Sequence, residues 1–264
     1  MDFSVITSKE NKLIKSVKKL LTSSKERKQT GLFVLEGLRL SADAAINGYN
    51  IETLIIAESV VESHRLNVLI EKAETIVKVP DSLFAYMSDT VSPQGVMCVV
   101  KMPNRVSVEN IENGKYIVLE NTADPANLGA IARTAEAFGI SGLIVLNRSC
   151  DPFSPKSLRA SMGALLRLPI ITADDITETL QTLKDKGFNL FASVVENAEC
   201  DVTEADFSGN CAVLIGNEAN GLTDTAINLC DSNITITMKG RAESLNAAAA
   251  ASIIMWEMTR SEVK

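Results

Sequence analysis

"YIVLENTADPANLGAIARTAEAFGISGLIVLN" spans residues 116–147, and its reading decides the fold. A short, continuous apolar run is followed by a helix-period segment and then by a second apolar run. Two buried strands joined through a helix of this length form a parallel pair. Asp124 is a suitable helix cap and Pro125 suits a first helical position, so "DP" has a sufficient structural explanation. Leu128, Ile131, Ala135 and Phe138 then form the stripe that faces the core. Arg133 lies off that stripe, where a plain surface arginine would also sit. Gly129 removes a side chain and lets another backbone or a ligand come close.

The same alternation extends in both directions. Upstream, "GLFVLEG", "IETLIIAE", "TIVKVP" and "QGVMCVVKMP" read as strands, and "LRLSADAAINGY" and "VESHRLNVLIEKAE" as helices. Downstream come helix "SPKSLRASMGALL", strand "LPIIT", helix "DITETLQTLKDKG", strands "FNLFASVV", "CAVLIG" and "NITITM", and the closing helix "SLNAAAAASIIMWEM". The polar, turn-rich stretch 104–115 lies between the two series. Two domains are therefore expected, 1–104 and 105–264, the second built on a parallel sheet covered on both faces.

Composition narrows the class. With 264 residues, 46% of them hydrophobic, the chain can bury a substantial core. Its five cysteines are odd in number, widely spaced and never CxxC, which argues against a disulfide framework and against a zinc site. No signal-like segment or spanning-length apolar run occurs, so a cytoplasmic protein with no membrane association and no metal is expected. A net charge of −7 is unusual for a nucleic-acid binder. Residues 1–30, however, carry eight Lys or Arg against three acids. Lys12, Lys15 and Lys19 fall on one side of a helix pattern, as either a solvated face or a basic arm contacting phosphates.

Ligands of open parallel sheets collect beyond the C-terminal ends of the strands, so the residues just after each apolar run carry the functional information. Three exits stand out: the helix entrance with Asn127, Gly129 and Arg133; "VLIGNEANGL" (213–222), a tight loop that exposes backbone; and "ITMKGRAESLNAAAAA" (236–251), where Ser244 is a candidate cap ahead of a helix of small residues. A dinucleotide fingerprint is missing, which disfavours a nicotinamide oxidoreductase.

Together and in order, these three segments resemble the motifs of the SpoU (TrmH-like) branch of the SPOUT RNA methyltransferases. "SLRASMGALLRLP" resembles that family's connecting segment, and "FVLEGLRLSADA" resembles the start of the L30e-like substrate-binding domain that often precedes the catalytic one. The resemblance implies an α/β chain with an N-terminal L30e-like domain, followed by a SPOUT parallel-sheet domain whose C-terminal segment forms a trefoil knot. It also implies a homodimer and S-adenosyl-L-methionine as cofactor, contacted by Leu214, Gly216, Ile236, Met238 and Leu245.

The reaction implied is methyl transfer to a ribose 2′-hydroxyl of RNA, with 23S ribosomal RNA expected as substrate and transfer RNA as the alternative. A catalytically weak RNA-binding assembly factor is the non-enzymatic alternative. Arg133, Asn127, Glu218, Ser244 and Asn246 are the implied catalytic set. Arg133 acts either as a base or, the role favoured here, by stabilising the developing oxyanion and a neighbouring phosphate. The remaining residues position it and the ribose. His64, the single histidine, falls in the first domain, away from this set. Thr237 departs from the family pattern, which usually has proline there. RNA contact is assigned to the basic N-terminal residues, the small domain, Arg148, Lys156, Arg159 and Arg167.

Overall fold

Apolar runs become interior strands and amphipathic runs become covering helices in both halves of the chain. The computed structural model describes residues 4–146 and 148–260, which divide into two units. The first comprises residues up to Asn104 together with Phe153–Leu166; the second comprises Arg105–Pro152 and Arg167 onward.

The first unit contains β1 (Ser4–Val5), α1 (Lys12–Thr22), α2 (Ser24–Thr30), β2 (Leu32–Glu36), α3 (Leu38–Ile46), β3 (Ile51–Ala57), α4 (His64–Lys72), β4 (Ala73–Val79), α5 (Asp81–Met87) and β5 (Val96–Lys101). Its sheet order is β1-β4-β3-β5-β2, with β5 antiparallel to both neighbours. The reversal has a local cause. The Glu36 carboxylate, at the end of β2, accepts bonds from the Ser88 hydroxyl, the Thr90 hydroxyl (2.5 Å) and the Asp89 N–H (3.1 Å). Gly95 O accepts from Ala57 N–H at the end of β3 (2.8 Å). The chain is thus pinned at the C-terminal edge of the sheet when β5 begins and can only run back.

Two expectations need correction here. The basic N-terminal residues are no free arm. Ile14 and Val17 of α1 are fully buried, Leu20 nearly so, and Arg27 is buried with its guanidinium donating to Leu20 O, capping that helix. Lys12, Lys15 and Lys19 do share the exposed face. The segment read as one helix over 154–166 is broken as well. It forms α7 (Pro155–Ala160), then Met162 at φ 52° and Gly163 at φ 92°, conformations no right-handed helix continues through, and then a 3-10 turn at Ala164–Leu166. This segment packs on the first unit through Phe153 against Phe33 (5.1 Å between ring centres) and through an Arg159–Asp89 ion pair.

The second unit contains β6 (Lys115–Leu119), α6 (Pro125–Ala137), β7 (Gly142–Leu146), β8 (Ile170–Ala173), α8 (Ile176–Asp185), β9 (Asn189–Ser193), β10 (Cys200–Asp201), β11 (Cys211–Ile215), α9 (Asp224–Leu229), β12 (Ser232–Thr235) and α10 (Ala247–Thr259). Asn147, read with β7, lies outside the described residues. Its seven strands are all parallel, in the order β10-β12-β9-β11-β6-β7-β8. The registers bring Leu119 level with Ile215, Leu214 with Ala192, and Ser193 with Ile234, so the central strands end together. All three segments of interest leave the sheet along that rim.

Lys115 is a buried cation at the opposite end of β6. Its ammonium donates to Met258 O, in the last turn of α10. Among the described residues no helix is long and apolar enough to cross a membrane.

Candidate active site

Asp124 caps α6 by accepting from Ala126 N–H (2.9 Å), as its residue type suggested, and Pro125 occupies the first turn. Asn127 is thereby fixed in that turn with its side chain buried. Its amide donates to Glu218 Oε1 (2.8 Å), and its carbonyl oxygen accepts from Asn246 Nδ2 (3.0 Å). Asn246 in turn accepts from Ala248 N–H (2.9 Å) and Ala249 N–H (3.2 Å), capping α10. A single run of hydrogen bonds therefore joins the loop after β11 to the N-termini of α6 and α10.

The cap of α10 is a correction: Asn246, and not the candidate Ser244, holds the position. Ser244 is exposed two residues ahead of it.

Helices α6 and α10 run side by side in the same direction. Asn127 meets Asn246, the Thr134 and Ser252 hydroxyls are 3.2 Å apart, and the Phe138 and Trp256 rings lie 5.7 Å apart. Both positive helix ends therefore open at the strand rim.

Gly216 begins the loop after β11. A Cβ there would lie 2.2 Å from the Gly221 carbonyl carbon and 2.3 Å from Leu222 N, both backbone atoms. Only glycine lets the chain close so tightly. Asn217 and Gly221 exchange two N–H···O bonds of 2.9 Å, and Asn217 Oδ1 accepts from the backbone of Ala219 and Asn220. Asn217 Nδ2 also donates to Asn121 O (2.8 Å), tying the loop to the exit of β6. Glu218 completes the tie through Ala123 N–H (3.2 Å) and Asp124 N–H (3.4 Å). Asn121, with φ 57°, is the site residue that sequence reasoning missed; an asparagine just past an apolar strand was its available signal.

The local field is anionic. Burial tends to raise the Glu218 carboxyl's pKa, but hydrogen bonds from Asn127 and from the backbone of Ala123 and Asp124 outweigh it, and the pKa is lowered overall. The neighbouring Cys150 thiol is pushed up to about 12, first by burial and then by the charges of Glu218, Asp124 and Asp151. Cys150 is therefore no nucleophile at neutral pH, while the carboxylates around it favour a bound cation.

The other expected residues divide clearly. Ile236 and Met238 are half-buried beyond β12, and Leu245 is 37% exposed beside Asn246. Leu214 is fully buried in the core with Val118 and Ala192, supporting the rim from within. Arg133 is exposed on α6 and makes no hydrogen bond or ion pair among the described residues, outside the Asn127–Glu218–Asn246 cluster. Of the residues assigned to RNA, Arg148 and Lys156 are exposed, while Arg159 pairs with Asp89 and Arg167 with Glu136. Among the described residues no group of three or more His, Cys, Asp or Glu side chains could hold a metal ion.

Comparison with known proteins places this geometry. Residues 114–256 match the SpoU rRNA Methylase family, and residues 11–98 match the MRM3-like substrate binding domain. The 23S rRNA (uridine(2479)-2′-O)-methyltransferase of Streptomyces viridochromogenes is 32% identical, over 92% of this chain and 88% of that protein. The 23S rRNA (guanosine(2553)-2′-O)-methyltransferase RlmP of Bacillus subtilis is 27% identical, over 96% of this chain and 98% of that protein. The crystal structure of the SpoU methyltransferase AviRb from Streptomyces viridochromogenes, in complex with AdoMet, superposes with a TM-score of 0.88 at 29% identity, covering 97% of this chain and 99% of that one. The chain belongs to the SpoU rRNA methylase family.

Proposed function

We propose that this protein transfers a methyl group from S-adenosyl-L-methionine to a ribose 2′-hydroxyl of 23S ribosomal RNA. The observation that carries the reading is the hydrogen-bond run Glu218–Asn127–Asn246, which assembles three separate strand exits into one site.

The donor set suits the cofactor. Glycine-tight backbone at Gly216, apolar surface at Ile236, Met238 and Leu245, and nearby carboxylates match an adenosyl group that carries a sulfonium cation. When bound, the cofactor supplies an electrophilic methyl group. With it in place, the 2′-hydroxyl oxygen would take the methyl group and release its proton to water, the sulfur leaving as the neutral thioether S-adenosylhomocysteine.

The chain's own residues lower the cost of that step by holding the ribose and by meeting negative charge as it develops on oxygen. Arg133 is the assigned partner for that oxygen and the adjacent phosphate, because its guanidinium has no competing acceptor among the described residues. Ser244 is exposed next to the α10 cap and is assigned to the ribose. Asn127, Glu218 and Asn246 hold the platform.

A homodimer and a knotted C-terminal segment complete the proposal. The exposed Ile253 and Trp256 lie on α10, an apolar surface suited to a second copy. The N-terminal domain, 1–104, is assigned to substrate RNA and the remainder to catalysis. The cytoplasm is the assigned compartment.

The test is methyl transfer to 23S rRNA and to transfer RNA, with 2′-O-methylation mapped on each, for the wild-type chain and for Arg133→Ala. Incorporation into 23S rRNA that is lost in the variant, at an unchanged melting temperature, is expected. Incorporation into transfer RNA alone would replace the substrate assignment. RNA binding without any transfer would favour the assembly-factor role.

A further inference from the structure

Beyond Thr235 the chain crosses residues 236–246 without regular structure before α10 begins. Its far end is fixed by Asn246. Its near end is fixed by a carboxylate from a different segment. Asp201 Oδ2 accepts from Thr237 N–H at 3.0 Å, while Oδ1 accepts from Thr203 N–H (3.0 Å) and the Thr203 hydroxyl (2.8 Å).

Asp201 lies in β10, in register with Thr235 of β12, and Val202 N–H donates to Thr235 O at 2.7 Å. Backbone pairing stops there. The Asp201 side chain extends the attachment two residues further, to the point where the chain leaves the sheet.

Residues 239–245 between the anchors are exposed. A loop tethered at both ends has far fewer conformations to lose on binding than one tethered at a single end. Hydrogen bonds to an ionised acceptor are the strong kind. Donors on Thr237 and Thr203 hold the Asp201 carboxyl, which is half-buried, well below the usual carboxylate range.

We propose that Asp201 is a positioning residue for cofactor binding: by clamping Thr237 it sets residues 236–238 before the cofactor arrives. The inference rests on the cofactor reading above. It also accounts for Thr237 where the resembled family usually has proline, since proline has no N–H to donate and could not enter this clamp.

The experiment compares wild type, Asp201→Ala, Asp201→Asn and Asp206→Ala. Asp206 is a control carboxylate that accepts from Ser208 N–H (3.0 Å) within its own turn. Calorimetric titration with S-adenosylhomocysteine should show about tenfold weaker binding for Asp201→Ala, the effect expected of the one of its three lost hydrogen bonds that reaches the loop, at Thr237. Asp201→Asn, which keeps the shape but offers a single acceptor atom, should fall between, and Asp206→Ala should match wild type.

Amide exchange across 236–246 should quicken in ligand-free Asp201→Ala. Its KM for the cofactor should rise while kcat at saturation is kept and the melting temperature stays within about two degrees. Equal binding by wild type and Asp201→Ala, or a joint fall of kcat, affinity and melting temperature, would overturn this inference alone. Failure of the wild-type chain to bind S-adenosylhomocysteine would overturn the cofactor reading and this inference with it.

Discussion

Asn127 is the residue on which the site turns, because it donates to Glu218 and accepts from Asn246 through the two ends of one amide. Asn127→Asp keeps the shape and replaces the donor with a second carboxylate facing Glu218. The clash of charges and the missing donor should cost about 1–3 kcal/mol of stability and at least about a hundredfold in methyl transfer. Protonating either carboxylate relieves the clash, so the variant should recover S-adenosylhomocysteine affinity as pH falls from 7 toward 5. A flat profile over that range would remove the charge argument. In the wild type the sign is opposite. The Glu218 pKa is depressed, so its contribution is complete above the ordinary carboxylate value and is lost as pH falls through the lowered one. Wild-type affinity should therefore hold from pH 7 to 5 and fall only in stronger acid. The sequence singled out Asn127, Glu218 and Asn246 through a resemblance that names residue types in order, but it could not say which of Ser244 and Asn246 caps α10. Both are good capping types, and the choice depends on Asn246 also reaching Asn127 on another helix.

Among the elements, the loop between β11 and α9 is tied at several points. Gly216→Ala would drive a methyl into the backbone of Gly221 and Leu222, and no side-chain rotation relieves that overlap. The Asn217–Gly221 pairing must then open, and with it the ties to Asn121, Ala123 and Asp124. Loss of measurable S-adenosylhomocysteine binding, with most of the fold retained by circular dichroism, is the expected outcome; retained affinity would show that the loop is not part of the site. Met162 gives the opposite case: a half-exposed side chain at φ 52°, where glycine is favoured. Met162→Gly should raise the melting temperature by about one to three degrees, after glycine's own entropy cost is offset. Long apolar runs such as "CAVLIG" and the strongly periodic "DITETLQTLKDKG" were legible because burial on both faces and a single apolar stripe leave direct patterns. The short elements α5, α9 and β10 were not, because six or seven residues complete less than two helical turns and a two-residue strand is defined only by its neighbour. The break at Met162 was hidden for a different reason: its residue type does not announce a left-handed conformation.

For the whole molecule, the question is how a chain of net charge −7 holds an RNA polyanion. The cations are unevenly placed, and several expected contributors are already engaged. Arg159 and Arg167 sit in ion pairs, and Lys15 pairs with Glu10. Lys12 and Lys19 have no such acid partner among the described residues and lie exposed on α1, whose other face is buried under the first sheet. Removing residues 1–30 would strip Ile14, Val17 and Leu20 from that core, so truncation would report on unfolding instead of RNA binding. Charge reversal separates the two effects. Lys12→Glu with Lys19→Glu should leave the melting temperature and S-adenosylhomocysteine affinity at wild-type values, since exposed substitutions cost about half a kcal/mol or less. RNA affinity should fall, and the slope of its logarithm against the logarithm of salt should flatten by about 0.7 to 0.9 for each phosphate no longer neutralised, roughly 1.5 for the pair. Filter binding across a salt series from about 50 to 300 mM measures this directly. An unchanged slope would show that the lysine face of α1 is merely solvated and that RNA is held by other cations, of which Arg148 and Lys156 are the exposed candidates.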